Sequence, residues 1–257
     1  MPPQVRMASG RKFSRREFTA LAVGALVLPR ALAENGEAGG GSDLQSVSDR
    51  MVAADKWRNE TLLSYSVERH YCLTLGNSRR CAEMRVRVEY VSPDRKTFEV
   101  ISKTNSGYLE DRVFRQAMSA EVAAAREDGR GPGTRILPCN YDFQVIGTEQ
   151  MAGRPNYVIR MTPKRKQRYL ADGKIWVDIQ DAAVTRMDGE VASNSFWVRS
   201  FHMVQSYERV GRYWLLGSIH NNANVRFWGD ARLDIENGPY QFRSAQERAG
   251  SNHAASK

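Results

Sequence analysis

Two alternating runs flank the dipeptide Gly76-Asn77 within Thr61 to Pro93, TLLSYSVERHYCLTLGNSRRCAEMRVRVEYVSP, and this stretch constrains the fold more than any other. Both runs are rich in β-branched and aromatic residues, and a Gly-Asn pair between such runs signals a tight β-hairpin. A two-residue loop there opposes Leu75 to Ser78, Tyr71 to Ala82, Val67 to Val86 and Tyr65 to Val88. One face then carries Tyr65, Val67, Tyr71 and Leu73 against Ala82, Met84, Val86, Val88 and Tyr90. The other carries Ser66, Glu68 and His70 against Glu83, Arg85 and Arg87, with Glu68 opposite Arg85. A slip by one residue would mix the two faces, so pattern and turn support the same pairing. The pairing also sets Cys72 opposite Cys81 at a non-hydrogen-bonded position, where Cα atoms approach to about 4.5–5.5 Å, within disulfide reach. Two free thiols on a polar face are the alternative.

Asp43 to Asn59 reads as a helix, because Leu44, Val47, Met51, Ala54 and Trp57 recur at spacings of three and four. A third strand over Lys96 to Ser102 precedes a second helix over Glu110 to Glu127, with Val113, Phe114, Ala117 and Val122 on one side. Asp128 to Pro138 is a Gly- and Pro-containing loop. From Tyr141 onward the chain is a train of strands: 141–148, 156–163, 174–180, 183–190, 195–207, 213–221, 224–228 and 232–236. The turn between the first two is read around Gly153-Arg154-Pro155. About ten or eleven antiparallel strands are too many for a flat sheet. The expected fold is mainly β (α+β): a strongly curved antiparallel sheet, or unclosed β-barrel, with the two helices on its concave side.

The first 33 residues read as an address rather than as fold. Arg6, Arg11, Lys12, Arg15 and Arg16 form a basic start, Ala20 to Leu28 an apolar run, and Ala31-Leu32-Ala33 a small-x-small cleavage site before Glu34. The apolar run is too short to span a bilayer, which takes roughly 20 residues. Ser14-Arg15-Arg16-Glu17-Phe18 resembles the twin-arginine translocation motif, which implies that the translocase is a partner during export; an ordinary export signal with two arginines is the alternative. Residues 34–42 read as a flexible spacer, 43–242 as one domain, and 243–257 as a disordered tail. The chain carries a formal charge of +9, but 1–33 holds six Lys or Arg against one acid. The remaining excess is too small to argue for nucleic acid.

Further along, Asp142-Phe143 with Val145 to Glu149, then Gly153 to Ile159, read as one strand pair. Gly173-Lys174-Ile175-Trp176-Val177-Asp178 with Val184-Thr185-Arg186-Met187, followed by Ser195 to Val198, form another. Together with the element order, these resemble the periplasmic lipoprotein-sorting superfamily of LolA- and LolB-like carriers. The resemblance covers 43–242 and implies an unclosed barrel whose helices lid an apolar cavity that receives acyl chains. It also implies a functional inward arginine, for which Arg69 on the apolar hairpin face is the nearest candidate, unless Arg69 only pairs structurally at the rim.

Catalytic patterns do not emerge. His70, His202 and His220 fall on separate strands and His253 in the tail; Asp172, Asp178, Asp181 and Asp188 fit turns and strand edges. No cofactor or metal is implied. Six methionines (Met84, Met118, Met151, Met161, Met187 and Met203) supply soft lining, or simply complete the core. The cavity candidates are Tyr65, Val67, Arg69, Tyr71, Met84, Val86, Val88, Ile175, Val177 and Ile179. Lys164, Arg165, Lys166 and Arg168 are candidate contacts for a lipid head group or an acidic partner, or else a solvated face. Cys139 reads as a partly buried free thiol. The expectation is an exported, periplasmic protein sheltering acyl chains of a lipid or acylated lipoprotein. The alternative is an envelope sensor or scaffold module that binds a protein partner, and an enzyme is the third reading.

Overall fold

The computed structural model describes residues 40–242 except 77, 79, 131–132, 167–169, 193–197 and 227–228. The export segment with Ala33 and Glu34, the tail, and Arg168 lie outside the described residues.

The hairpin forms from β1 (Ser64–Leu75) and β2 (Ala82–Val91). Its register differs from the sequence expectation by two residues: Tyr71 faces Met84, Arg69 faces Val86, Val67 faces Val88 and Tyr65 faces Tyr90. The connection takes all of 76–81 rather than Gly76-Asn77 alone. An even shift keeps each side chain on its own face, so the two-faced pattern survives. Val67, Tyr71, Met84, Val86 and Val88 are all buried. Glu68 faces Arg87, not Arg85, and the two pair at 3.7 Å. Cys72 lies opposite Glu83 and reaches diagonally to Cys81, with the disulfide formed across a Cα separation of 5.6 Å.

Two helices follow the expected stripes. α1 (Gly40–Thr61) begins three residues before Asp43 and buries Val47 and Met51. α2 (Tyr108–Arg130) has Glu110 and Asp111 in its first turn, where the helix dipole favours acids. Asp111 also pairs with Lys103 at 2.9 Å, and Phe114 is completely enclosed.

The other strands are β3 (Arg95–Thr104), β4 (Tyr141–Met151), β5 (Arg154–Pro163), β6 (Ala171–Asp178), β7 (Val184–Val191), β8 (Val198–Val210), β9 (Tyr213–Val225), β10 (Gly229–Asn237) and β11 (Gln241–Phe242). Several boundaries differ from the sequence reading: β6 spans Ala171–Asp178 rather than 174–180, and β8 spans Val198–Val210 rather than 195–207. The β4–β5 turn falls on Ala152-Gly153, both with positive φ (48° and 75°), so Arg154 and Pro155 belong to the strand. The stretch after Asn221 continues β9 instead of starting a new strand, and the eleventh strand is the short β11, which pairs with β1.

All strands pair antiparallel in the order β3-β2-β1-β10-β9-β8-β7-β6-β5-β4. β3 and β4 are the free edges, so the curved sheet is a barrel left open between them. Gly173 and Gly189 face each other in β6 and β7, and a Cβ on Gly173 would sit 2.2 Å from the Asp188 carbonyl oxygen. Only glycine allows so close an approach.

Each helix lies against one edge, α2 on β3 and α1 on β4. This divides the interior into two cores. Val47 and Met51 of α1 pack with Tyr141, Ile159, Met161, Ile175, Val177 and Met187. Phe114 of α2 packs with Val67, Tyr71, Met84, Val86, Val88 and Ile235. Met203 of β8 touches both.

Candidate functional site

Between the two cores lies a cavity of about 1040 Å³. Met51, Ala54 and Trp57 of α1 form one wall. Leu109, Val113, Ala117, Ala120 and Ala124 of α2 form the other. The floor is the middle of the sheet: Met187 and Val191 of β7, Phe201 and Met203 of β8, Ile219, Ala223 and Val225 of β9, and Ala231, Leu233 and Ile235 of β10. Small side chains explain the space. Alanines 117, 120 and 124 fall at three- and four-residue spacings on one face of α2, and Ala223 is paired directly with Ala231 across the floor. Leucine at any of these positions would reach into the space that alanine leaves open.

Polar groups in the lining are mostly committed to one another. Asp55 receives Arg135 at 2.7 Å and Arg58 at 3.2 Å. Trp57 stacks on Tyr213 with ring centroids 5.3 Å apart, and Arg212 lies 5.1 Å above Trp57. Tyr207 donates to Gln205 at 2.8 Å.

A buried charge cluster ties α2 to the sheet. Arg69 is only 2% exposed and does not reach a rim as the snorkelling alternative required. It donates to Glu121 of α2 at 2.6 Å, to Asn237 at 2.6 Å and to the Tyr71 hydroxyl at 3.3 Å. Lys96 of β3 reaches the other Glu121 oxygen at 2.6 Å. Burial alone would raise the Glu121 carboxyl, but the Lys96 and Arg69 charges outweigh it and hold the group at about 2. Burial, reinforced by Glu121, pushes the Tyr71 phenol up to about 12.

A second cluster explains a motif. Asp178 ends β6 at a turn, as the sequence reading has it; it is fully buried there and accepts Arg154 at 2.6 and 2.9 Å and the Gln180 and Asp181 amides of that turn at 2.9 and 2.7 Å. Arg154 also reaches Asp181 at 3.0 Å and stacks on Trp214. Burial opposes the Asp178 charge, yet Arg154 and the two amides together hold the carboxyl below its ordinary range. The Gly153-Arg154-Pro155 and Trp176-Val177-Asp178 stretches therefore serve as a strand-end clamp.

None of the ten cavity candidates lines the hollow. Val67, Tyr71, Met84, Val86 and Val88 are covered by Phe114, with Val113 and Met118 beside it, and Ile175 and Val177 lie in the α1 core. Tyr65 stacks on Tyr90 and meets Tyr240 edge-on. Ile179 lies in the turn after β6, where its carbonyl accepts Arg50 at 2.6 Å. The strongest apolar faces are the ones the helices cover; the hollow is floored by β7 to β10, and the inward positions of β8 to β10 mix alanine, amide and apolar side chains. That dilution is the signal a sequence reading could have used.

Among the basic run, Lys164 pairs with Asp142 at 3.5 Å and Lys166 is exposed. Arg165 donates to the buried Asn140 at 2.7 Å, holding the 133–140 loop. Cys139 is exposed, not partly buried. The histidines form separate outer pairs: His70 with Glu83 at 3.6 Å, His202 with Asp188 and His220 with Asp234, both at 2.8 Å. Among the described residues no group of three or more His, Cys, Asp or Glu could hold a metal ion.

Residues 52–189, more than half of the chain, match the family described as MucB/RseB N-terminal domain. No curated protein matches the sequence. Among solved structures, a DUF1329 family protein from Desulfovibrio piger is 13% identical with a TM-score of 0.43, covering 83% of this chain and 98% of its own. A putative outer membrane lipoprotein-sorting protein domain from Vibrio parahaemolyticus is 12% identical with a TM-score of 0.41, covering 76% and 92%. A LolA superfamily protein from Nitrosomonas europaea is 11% identical with a TM-score of 0.38, covering 79% and 95%.

Proposed function

The chain belongs to the MucB/RseB N-terminal domain family, and we propose that it is an exported, periplasmic binding protein that shelters the acyl chains of a lipid or acylated lipoprotein. The observation that carries this reading is the apolar cavity of about 1040 Å³ between α1, α2 and the sheet centre. A volume at the upper end of the range for small-molecule sites, lined mainly by apolar side chains, suits a hydrocarbon guest. Burial stabilises such a guest by about 0.8 kcal/mol per methylene.

Placement outside the cytoplasm is supported by the twin-arginine segment and by the Cys72–Cys81 bond, which persists in oxidising compartments. No helix among the described residues is long and apolar enough to cross a membrane.

Native mass spectrometry of the protein purified from the periplasm in mild detergent-free buffer tests the proposal. The expected spectrum shows a mature chain beginning at Glu34 and carrying a lipid adduct that organic extraction removes. An unliganded chain that co-purifies with one stoichiometric protein would replace this reading with that of an envelope sensor or scaffold.

A further inference from the structure

Asn221 of β9 lines the cavity, and its side-chain oxygen, covered by protein atoms, has no hydrogen-bond partner among the described residues. Its cross-strand neighbours on that face are Met203 and Leu233, and Ile219 and Ala223 flank it along the strand. None of the four can serve the amide well. Other enclosed asparagines among the described residues have partners for both ends of the amide. Asn156 donates to the Arg154 carbonyl at 2.9 Å and accepts the Thr185 hydroxyl at 2.7 Å. Asn140 spans two loop carbonyls and Arg165. Asn237 joins Arg69, the Leu216 carbonyl and Tyr240. Each of these fixes local structure, whereas Asn221 fixes none.

An amide set among apolar groups without a partner destabilises a fold, and leucine has nearly the same shape without that cost. Nearby, the Gln205 amide nitrogen donates to the Met203 sulfur, a weak acceptor, at 3.2 Å. Among the described residues, the floor therefore carries hydrogen-bonding capacity at Asn221 that no neighbouring group takes up. Resting on the reading that the cavity shelters acyl chains, we infer that the guest carries a hydrogen-bonding group, a hydroxyl or an amide link, set within its hydrocarbon and docked on Asn221. The terminal torsion of Asn is soft, so a turn of the amide brings its C=O or its N–H to the cavity space. A group that both donates and accepts matches it in either orientation, and a plain methylene chain matches it in neither. In this way the cavity selects among lipids instead of admitting any alkyl tail, because a site with an unpaired polar group penalises a guest that cannot pair with it.

The test compares three probes on the delipidated protein by displacement of a fluorescent fatty acid. Oleic acid is the plain chain, ricinoleic acid adds one mid-chain hydroxyl, and N-oleoylglycine adds an amide near the head. At least one of the functionalised acids should bind the wild type about five- to tenfold tighter than oleic acid; which one does so reports where the polar group sits. Asn221→Leu should lose that preference, bind oleic acid at least as well, and melt about 2–4 °C higher because it removes the unpaired amide. Equal binding of all three acids by the wild type overturns the inference while leaving the acyl shelter intact, as does a preference that survives in Asn221→Leu. Failure of the wild type to bind any of them overturns the shelter and the inference together.

Discussion

Glu121 is where α2 is electrically fastened to the sheet. Arg69 and Lys96 approach it from β1 and β3, and its carboxyl is held at about 2 against an ordinary value of 4.5. A depressed carboxylate contributes stability above its ordinary value and loses it as the pH falls toward the folded value. The contribution is therefore complete at neutral pH and disappears between about pH 4.5 and pH 2. Its size is about 3 kcal/mol. Glu121→Gln should lower the unfolding free energy at pH 7 by about that amount, since it leaves Arg69 buried without a counter-charge. The variant should also flatten the acid limb of stability in that window. Urea unfolding at a series of pH values reads both effects, and an unchanged acid limb would show that the cluster is not coupled to folding. Asp178 makes the same point without a helix: the sequence places it at a turn, where its carboxylate does accept two turn amides, and the structure adds full enclosure and the Arg154 partner.

Among the elements, the β1–β2 hairpin shows what alternation specifies and what it leaves free. Alternation sets which side chains face inward, and the parity of the register follows. It does not distinguish a two-residue loop from a six-residue one, because both keep the same parity. The disulfide then closes the end of the longer connection over a separation of nine residues. Loop-closure entropy for so short a ring gives about 3 kcal/mol. Cys72→Ala combined with Cys81→Ala should lower the unfolding free energy by that order, and reductant should bring the wild type to the same value. A reductant-insensitive wild type would mean the bond adds nothing to stability. The helices were legible as stripes: Val47, Met51 and Phe114 are where the three- and four-residue spacings put them. Their lengths were not, since α1 extends back to Gly40 and α2 forward to Arg130.

For the whole molecule, the hollow exists because two helices cover two edges of an open barrel and neither reaches the middle. Filling that middle should abolish guest binding without unfolding the protein. Ala120→Trp, projecting from α2 into the cavity, is expected to eliminate the co-purified lipid in native mass spectrometry while shifting the melting temperature by no more than a few degrees. Retention of the lipid would place the guest elsewhere. The sequence alone determined the mainly-β class, the approximate number of strands, both helices, the cysteine pair and the inward face of the hairpin. All of these follow from local periodicity and turn chemistry, which neighbouring residues encode. Only the tertiary structure decided that β1 pairs with β10, that the sheet opens between β3 and β4, and that Arg69 meets Glu121 across 52 residues of chain. It also moved the cavity from the strongly apolar faces of β1, β2 and β6 to the alanine-bearing floor of β8 to β10. The reason is physical: strongly apolar faces attract the helices and become core, so unfilled space remains where the side chains are small and the apolar pattern is weakest.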